Sequence, residues 1–550
     1  MNPGRPGGCA PKGRASWPAL PLLALAFLSL ASPAAGSAPA YFRFGGLEPG
    51  PYSVGLKVIQ AYDHQRTLGR PFDYEGNPNP GDIDRPLLVL VWYPARPVQG
   101  SGPMTYGQLV DLSAQEMVFG PPTGGELAET REAFISDALA RGAPRAKLEA
   151  LFSLPTTAHR DAPAAEGTFP LVLYAPSWNG PASENSVLCE YLASHGYVVA
   201  ASASVGAAGR EMTLDAAGLE AQVRDLEFQL ALMRDFSGAS REDVGTVGFS
   251  WGGLADVAAA AQNSRIRAVA SLDGSLLNPE GIATVRSLPG FDPRALQVPL
   301  LVVRSGDSSA HGDGSLLDSM KYARLLDVAL LPLAHRDFCS RFQLTYALSP
   351  ALEAGRDRAV MDRGYESVCR IVLGFLDSEL KKDGDRARAL LAALPSGQGL
   401  DADLLRVSRR AALKAPPTEG QFLAILLRDG AGRARGVYEE AVKADPGCVI
   451  FREDALNRIG YRYLARGWTE DAVGVFELDA LAYPSSPNAW DSLAEACMAA
   501  GDKGRAAQAA RKVLDLLPQD KTLSEAGRAQ LRARAEAVLR QARGETGGGR

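Results

Sequence analysis

Cysteine, histidine and aromatic residues are all scarce in this 550-residue chain, which has six, five and 7% respectively. No two cysteines stand in CxxC spacing, which argues against a zinc ribbon or any cysteine-held metal. Charge of one sign is also lacking. The chain has 58 Lys and Arg against 63 Asp and Glu, a net charge of −5, with no sustained basic stripe. A nucleic-acid partner is therefore not expected. Past the N-terminus no hydrophobic run approaches membrane-spanning length, so the mature chain is expected to be soluble with no membrane span. What is present is ordinary globular material, 46% hydrophobic and 22% charged, and enough of it for two or three domains.

Arg5, Lys12 and Arg14 precede an apolar run from Leu20 to Leu30, and small residues and prolines follow as far as Ala40. That order is a secretory signal peptide over residues 1–40, with cleavage after Gly36 or Ala40, and it predicts a secreted or periplasmic protein. Cys9 lies ahead of the apolar run. The other five cysteines are an odd set that cannot pair completely. Cys339 with Cys369 would suit a disulfide in an oxidising compartment, but buried free thiols are the default.

From about Ser53 to Glu379, short β-type runs alternate with helical stretches. The runs are Leu87–Tyr93, Leu171–Ala175, Tyr197–Ser202, Val244–Val247, Ile266–Leu272, Leu300–Val303 and Val328–Leu333. Most are apolar on successive residues, as strands buried on both faces must be. Helical stretches such as Leu214–Met233 and Leu254–Gln262 lie between them, and the alternation predicts a doubly wound, mostly parallel α/β sheet over residues 41–380. A helical insertion at about 106–151 interrupts it, placed either to roof a site or to pack on an edge. Residues 381–420, charged and broken by Pro395, Pro416 and Pro417, are predicted to be a helical linker.

An all-α repeat domain is predicted over residues 421–540. Leu456, Ile459, Gly460, Tyr463, Ala472, Phe476 and Pro484 recur 34 residues later as Trp490, Leu493, Ala494, Cys497, Ala506, Ala510 and Pro518. This spacing resembles the tetratricopeptide repeat, with small residues where paired helices approach. A degenerate unit ending Tyr438, Ala441 and Pro446 precedes the two. The tail at 541–550 is predicted to be disordered.

The chemistry concentrates in Gly248-Phe249-Ser250-Trp251-Gly252-Gly253, between the run Val244–Val247 and the helical stretch from Leu254. A strand that turns this sharply into a helix needs very small residues around the serine. The turn lifts the Ser250 hydroxyl above the sheet, at a helix N-terminus that favours developing negative charge. A serine nucleophile needs a base. His335 follows the last apolar run, the expected place when the chain order is serine, acid, histidine. His311 is the alternative; His195 reads as a helix C-cap. Asp273 and Asp307 each end a strand and could orient the imidazole, and the residues alone do not separate them. Oxyanion donors are expected from the backbone N–H of Trp251 and of Trp178, the latter in the loop Pro176-Ser177-Trp178-Asn179-Gly180.

Over roughly residues 50–380 the chain resembles the α/β-hydrolase branch of platelet-activating-factor acetylhydrolase-like and dienelactone-hydrolase-like esterases. The matching stretches are Val91-Trp92-Tyr93-Pro94, Ser194-His195-Gly196-Tyr197, the Gly248–Gly253 turn, Leu272-Asp273-Gly274, and His335 with Phe338. The resemblance implies Ser250 as nucleophile, His335 as base, Asp273 as acid, and Trp178 and Trp251 as oxyanion donors. One departure is clear. Such enzymes carry His-Gly before the oxyanion donor, where this chain has Pro176-Ser177.

The expectation is a serine esterase acting on small or medium carboxylic esters, with no metal or organic cofactor. Two other readings stand beside it. One is a peptidase or amidase on the same residues. The other is an idle hydrolase-fold scaffold that binds a protein partner through its repeats, although the repeats could equally serve only to stabilise the hydrolase part.

Overall fold

The structure is a computed structural model that describes residues 46–69, 83–98, 100, 102–117, 119–140, 142–346, 355–381, 385 and 404–544. The expected signal peptide lies outside them, as do residues 545–550.

Ten strands form one sheet: β1 (Ser53–Leu68), β2 (Ile83–Ala95), β3 (Ala158–Arg160), β4 (Phe169–Ala175), β5 (Val198–Ser202), β6 (Ala239–Phe249), β7 (Ile266–Leu272), β8 (Leu300–Ser305), β9 (Leu325–Leu330) and β10 (Leu405–Arg410). Their order is β10-β9-β8-β7-β6-β4-β5-β2-β1-β3. The run from β5 through β4, β6, β7 and β8 to β9 is parallel throughout. The flanking pairs β2–β5, β1–β2 and β9–β10 are antiparallel.

Successive apolar residues serve opposite faces. On β2, Leu88, Leu90 and Trp92 pack into one core, and Leu87, Val89, Val91 and Tyr93 into the other. Helices cover both faces, the arrangement that parallel βαβ crossovers require. Those bearing on the site are α1 (Tyr106–Asp111), α2 (Gly124–Leu139), α3 (Arg145–Leu151), α4 (Ser186–Ser194), α5 (Ala216–Leu232), α6 (Trp251–Gln262), α7 (Pro279–Ser287), α8 (Gly306–His311), α9 (Ser315–Ser319), α10 (Ser340–Tyr346) and α11 (Arg358–Glu379).

Two details differ from the sequence expectation. The last parallel strand is Leu325–Leu330 rather than Val328–Leu333, because Pro332 cannot join a ladder and the chain turns away after Leu330. The segment expected as a helical linker contributes β10. Its Leu405 and Val407 pack on the core, Arg406 and Arg409 are exposed, and Arg410 donates to Leu317 O and Met320 O, too faint a period-two signal among so many charges.

The C-terminal helices are α12 (Glu419–Ala444), α13 (Glu453–Leu464), α14 (Thr469–Ala482), α15 (Pro487–Ala499), α16 (Lys503–Leu516) and α17 (Glu525–Ala542). The hairpins α13–α14 and α15–α16 begin 34 residues apart, at 453 and 487. Their close approach explains Gly460, where a Cβ would lie 2.4 Å from the Phe476 ring. Asp445, just past α12, ties this region to the sheet domain. It accepts hydrogen bonds from Lys321 Nζ at 3.0 Å and Tyr322 Oη at 2.8 Å. Among the described residues no helix is long and apolar enough to cross a membrane.

Candidate active site

Ser250 sits where β6 breaks into α6, at φ 57° and ψ −122°, a conformation that costs a non-glycine residue energy and persists only when its surroundings enforce it. The surroundings are glycines in close backbone contact. A Cβ on Gly248 would meet the Gly252 carbonyl oxygen at 2.4 Å, and one on Gly252 would meet the Ala175 carbonyl oxygen at 2.1 Å. The Ser250 N–H donates to Leu272 O at 3.1 Å, and its carbonyl accepts from Ser275 N at 3.0 Å. The turn is thus clamped between β4 and β7.

Three side chains meet there. His335 Nε2 lies 2.9 Å from Ser250 Oγ, and His335 Nδ1 lies 2.8 Å from Asp273 Oδ2. Asp273 turns off the end of β7 at φ 40°, buried, and its other oxygen accepts the Ser305 N–H at 2.8 Å. Burial pushes its carboxyl up. The hydrogen bond and charge of His335 and the donors Ser305 and Ser308 outweigh that, and hold it below the usual carboxylate range. Asp307 lies exposed in the first turn of α8, and His311 lies exposed at that helix's end. Neither joins Ser250. His195 caps α4, and His64 and His159 lie on β1 and β3 at the far side of the sheet.

His335 is carried on a short helical turn, His335–Phe338, whose anchor is the buried Asp337. One Asp337 oxygen accepts the Ala334 N–H at 2.7 Å, and Arg356 pairs with the same carboxylate. The imidazole rests on Phe249, with centroids 5.0 Å apart.

The loop after β4 is braced at each residue. Gln222 Nε2 donates to Pro176 O at 2.8 Å, and Glu184 accepts from Ser177 N and Ser177 Oγ at 2.7 Å each. Trp178 Nε1 donates to Met212 O at 2.6 Å. Asn179 accepts from Met212 N at 2.8 Å, and Gly180 O accepts from Ser204 N at 2.9 Å. Among the described residues, the backbone N–H groups of Trp178 and Asn179 have no acceptor. The Trp251 N–H, in the first turn of α6, has no partner within its helix. The Trp251 indole is core packing, whereas Trp178 is 48% exposed.

Sequence reasoning missed Glu184, Gln222, Asp337 and Arg356. Gln222 and Arg356 reach the site through contacts distant in sequence, whereas Glu184 lies four residues past the Pro176–Gly180 loop and Asp337 two residues after His335.

The insertion lies against this loop. Glu116 accepts from Ala182 N at 3.0 Å and pairs with Arg210 at 3.2 Å. A cavity of about 300 Å³ separates α1 and α2 from the loop, lined in part by Tyr106, Phe134, Asn179, Arg210 and Arg341. A more apolar cavity of about 370 Å³, lined by Leu325, Leu326 and Phe375, lies at the opposite strand ends. Cys189, Cys339, Cys369, Cys448 and Cys497 are free thiols, so Cys339 and Cys369 are not joined. Among the described residues no group of three or more His, Cys, Asp or Glu is placed to hold a metal ion.

No protein-family model matches the chain, and no curated protein matches it. Among solved structures it is similar to a ferulic acid esterase from Streptomyces cinnamoneus, 19% identical, with a TM-score of 0.46, covering 68% of this chain and 98% of that one.

Proposed function

We propose that this chain is an exported serine hydrolase that cleaves small or medium carboxylic esters through an acyl-Ser250 intermediate. The observation that carries the reading is the double contact of His335, with Ser250 on one ring nitrogen and the buried Asp273 on the other. Asp273 holds the tautomer with the proton on Nδ1, which leaves the Nε2 lone pair facing the serine hydroxyl. As Ser250 Oγ attacks the ester carbonyl, Nε2 takes its proton and later passes it to the departing alkoxide. The oxyanion is received by the N–H groups of Trp178 and Trp251, already fixed in place before the reaction. Water then attacks the acyl-serine with His335 as base again.

The C-terminal hairpins are read as tetratricopeptide-type units that brace the hydrolase. The bonds of Asp445 to Lys321 and Tyr322 favour this over a freely tethered recruiting arm. The branch of platelet-activating-factor acetylhydrolase-like esterases remains the family reading, carried by the motifs around Ser250, Asp273 and His335.

Turnover of p-nitrophenyl acetate compared with p-nitroacetanilide tests the function. Ester cleavage that Ser250→Ala abolishes, with little anilide cleavage, is the expected result. Faster anilide cleavage would replace the esterase reading with an amidase one.

A further inference from the structure

The loop that replaces the usual His-Gly with Pro176-Ser177 still needs something to aim its backbone. Glu184 stands in the position to do so. One carboxylate oxygen accepts the Ser177 N–H at 2.7 Å and Tyr174 Oη at 3.1 Å, and the other accepts the Ser177 hydroxyl at 2.7 Å. Both polar groups of Ser177 that can donate are thereby spent on one residue, and the next N–H along the chain is that of Trp178.

Glu184 also reaches the base. Its backbone carbonyl accepts from Arg341 N at 3.0 Å, Cys339 Sγ at 3.1 Å and Ser340 Oγ at 3.2 Å, all within the segment that follows the His335 turn. Its neighbour Asn185 adds bonds to Phe338 O at 3.1 Å and from Ser340 N at 3.0 Å. Side chain and main chain of one buried residue therefore join the loop that presents Trp178 to the loop that presents His335. A Cβ on Gly180 would lie 2.5 Å from Glu184 Oε2, so the loop closes tightly over the carboxylate.

We propose that Glu184 is a positioning residue that, through Ser177, sets the direction of the Trp178 N–H and its register against His335. The proposal rests on the ester-hydrolase reading above. An oxyanion donor acts more strongly in the transition state than on bound substrate, so its misplacement lowers kcat and leaves KM nearly unchanged. Removing such a donor outright costs about 100- to 1000-fold in kcat, so losing its support should cost somewhat less.

The test is p-nitrophenyl acetate kinetics on the full chain, with phenylboronic acid as a tetrahedral mimic of the oxyanion. Glu184→Ala is expected to lower kcat by about 30- to 50-fold and Ser177→Ala by about 5- to 10-fold. KM should stay within about twofold, and boronate affinity should fall in step with kcat. If Glu184→Ala does not fold, Ser177→Ala decides alone, since it removes one hydroxyl from a half-buried residue. Unchanged kcat and boronate affinity in a folded Ser177→Ala protein would overturn the proposal, as would a raised KM at constant kcat. An unaltered protein that is inert towards the ester would overturn the hydrolase reading itself, a separate and recognisable failure.

Discussion

The imidazole of His335 lies nearly parallel to the ring of Phe249, the residue before Ser250, with an interplanar angle of 27°. The strand that carries Ser250 therefore also provides the surface on which the His335 ring rests. Phe249 is itself buried, so truncation to Ala would cost about 3–5 kcal/mol and confuse folding with catalysis. Phe249→Leu keeps most of the volume and removes the flat face. It is expected to lower kcat by about 10-fold with KM little changed, checked by steady-state kinetics beside a thermal melt.

Asp273 and Asp307 give a direct contrast. Asp273→Asn keeps the shape of the site but favours the wrong imidazole tautomer, and should lower kcat by about 10³- to 10⁴-fold. Asp307→Asn alters an exposed first-turn residue and should leave kcat within about twofold. Parallel kinetics of the two variants check this, and an Asp307 variant that lost activity would reassign the acid.

The glycines of the elbow should be intolerant of even one methyl group. Gly252→Ala places a carbon where the Ala175 carbonyl oxygen stands, a backbone clash that no side-chain movement relieves. A loss of about 3 kcal/mol or more in unfolding free energy is expected, read from denaturant melts, with esterase activity lost at the same time.

Most strands and the elbow were legible in the sequence because both are written locally. Strands buried on both faces show unbroken apolar runs, as in Leu171–Ala175, and the strand–Ser–helix junction demands its glycines within six residues. For the acid, the residues alone left Asp273 and Asp307 open, and only the family resemblance favoured Asp273. Asp273 and Asp307 both end apolar strands, and what separates them is that Asp273 leaves its strand at positive φ towards His335, whereas the chain after β8 winds at once into a helix. Glu184 was hidden for the same reason: it looks like an ordinary residue before a helix, and its partner Ser177 is seven positions away across a turn. β10 was lost among arginines that suit an edge strand as well as a linker.

The C-terminal helical region carries its own test. Asp479 is fully buried, and burial together with the charge of Glu453 pushes its carboxyl up to about 8. The unfolded chain gives up this proton near pH 4, while the folded chain keeps it until about pH 8. Stability from this group is therefore complete below pH 4 and declines as pH rises towards 8. Asp479→Asn should remove the decline, gaining about 2–4 kcal/mol over the unaltered chain at pH 8 and little at pH 4. Melts followed by circular dichroism at the two pH values check the sign.

The central claim is that Ser250 is a nucleophile activated by His335, and fluorophosphonate labelling tests it most directly. The protein would be treated with the reagent, digested, and the modified peptide located by mass spectrometry. Label on Ser250 that His335→Ala abolishes is the expected result. A folded protein that takes no label, or takes it at another serine, would contradict the account.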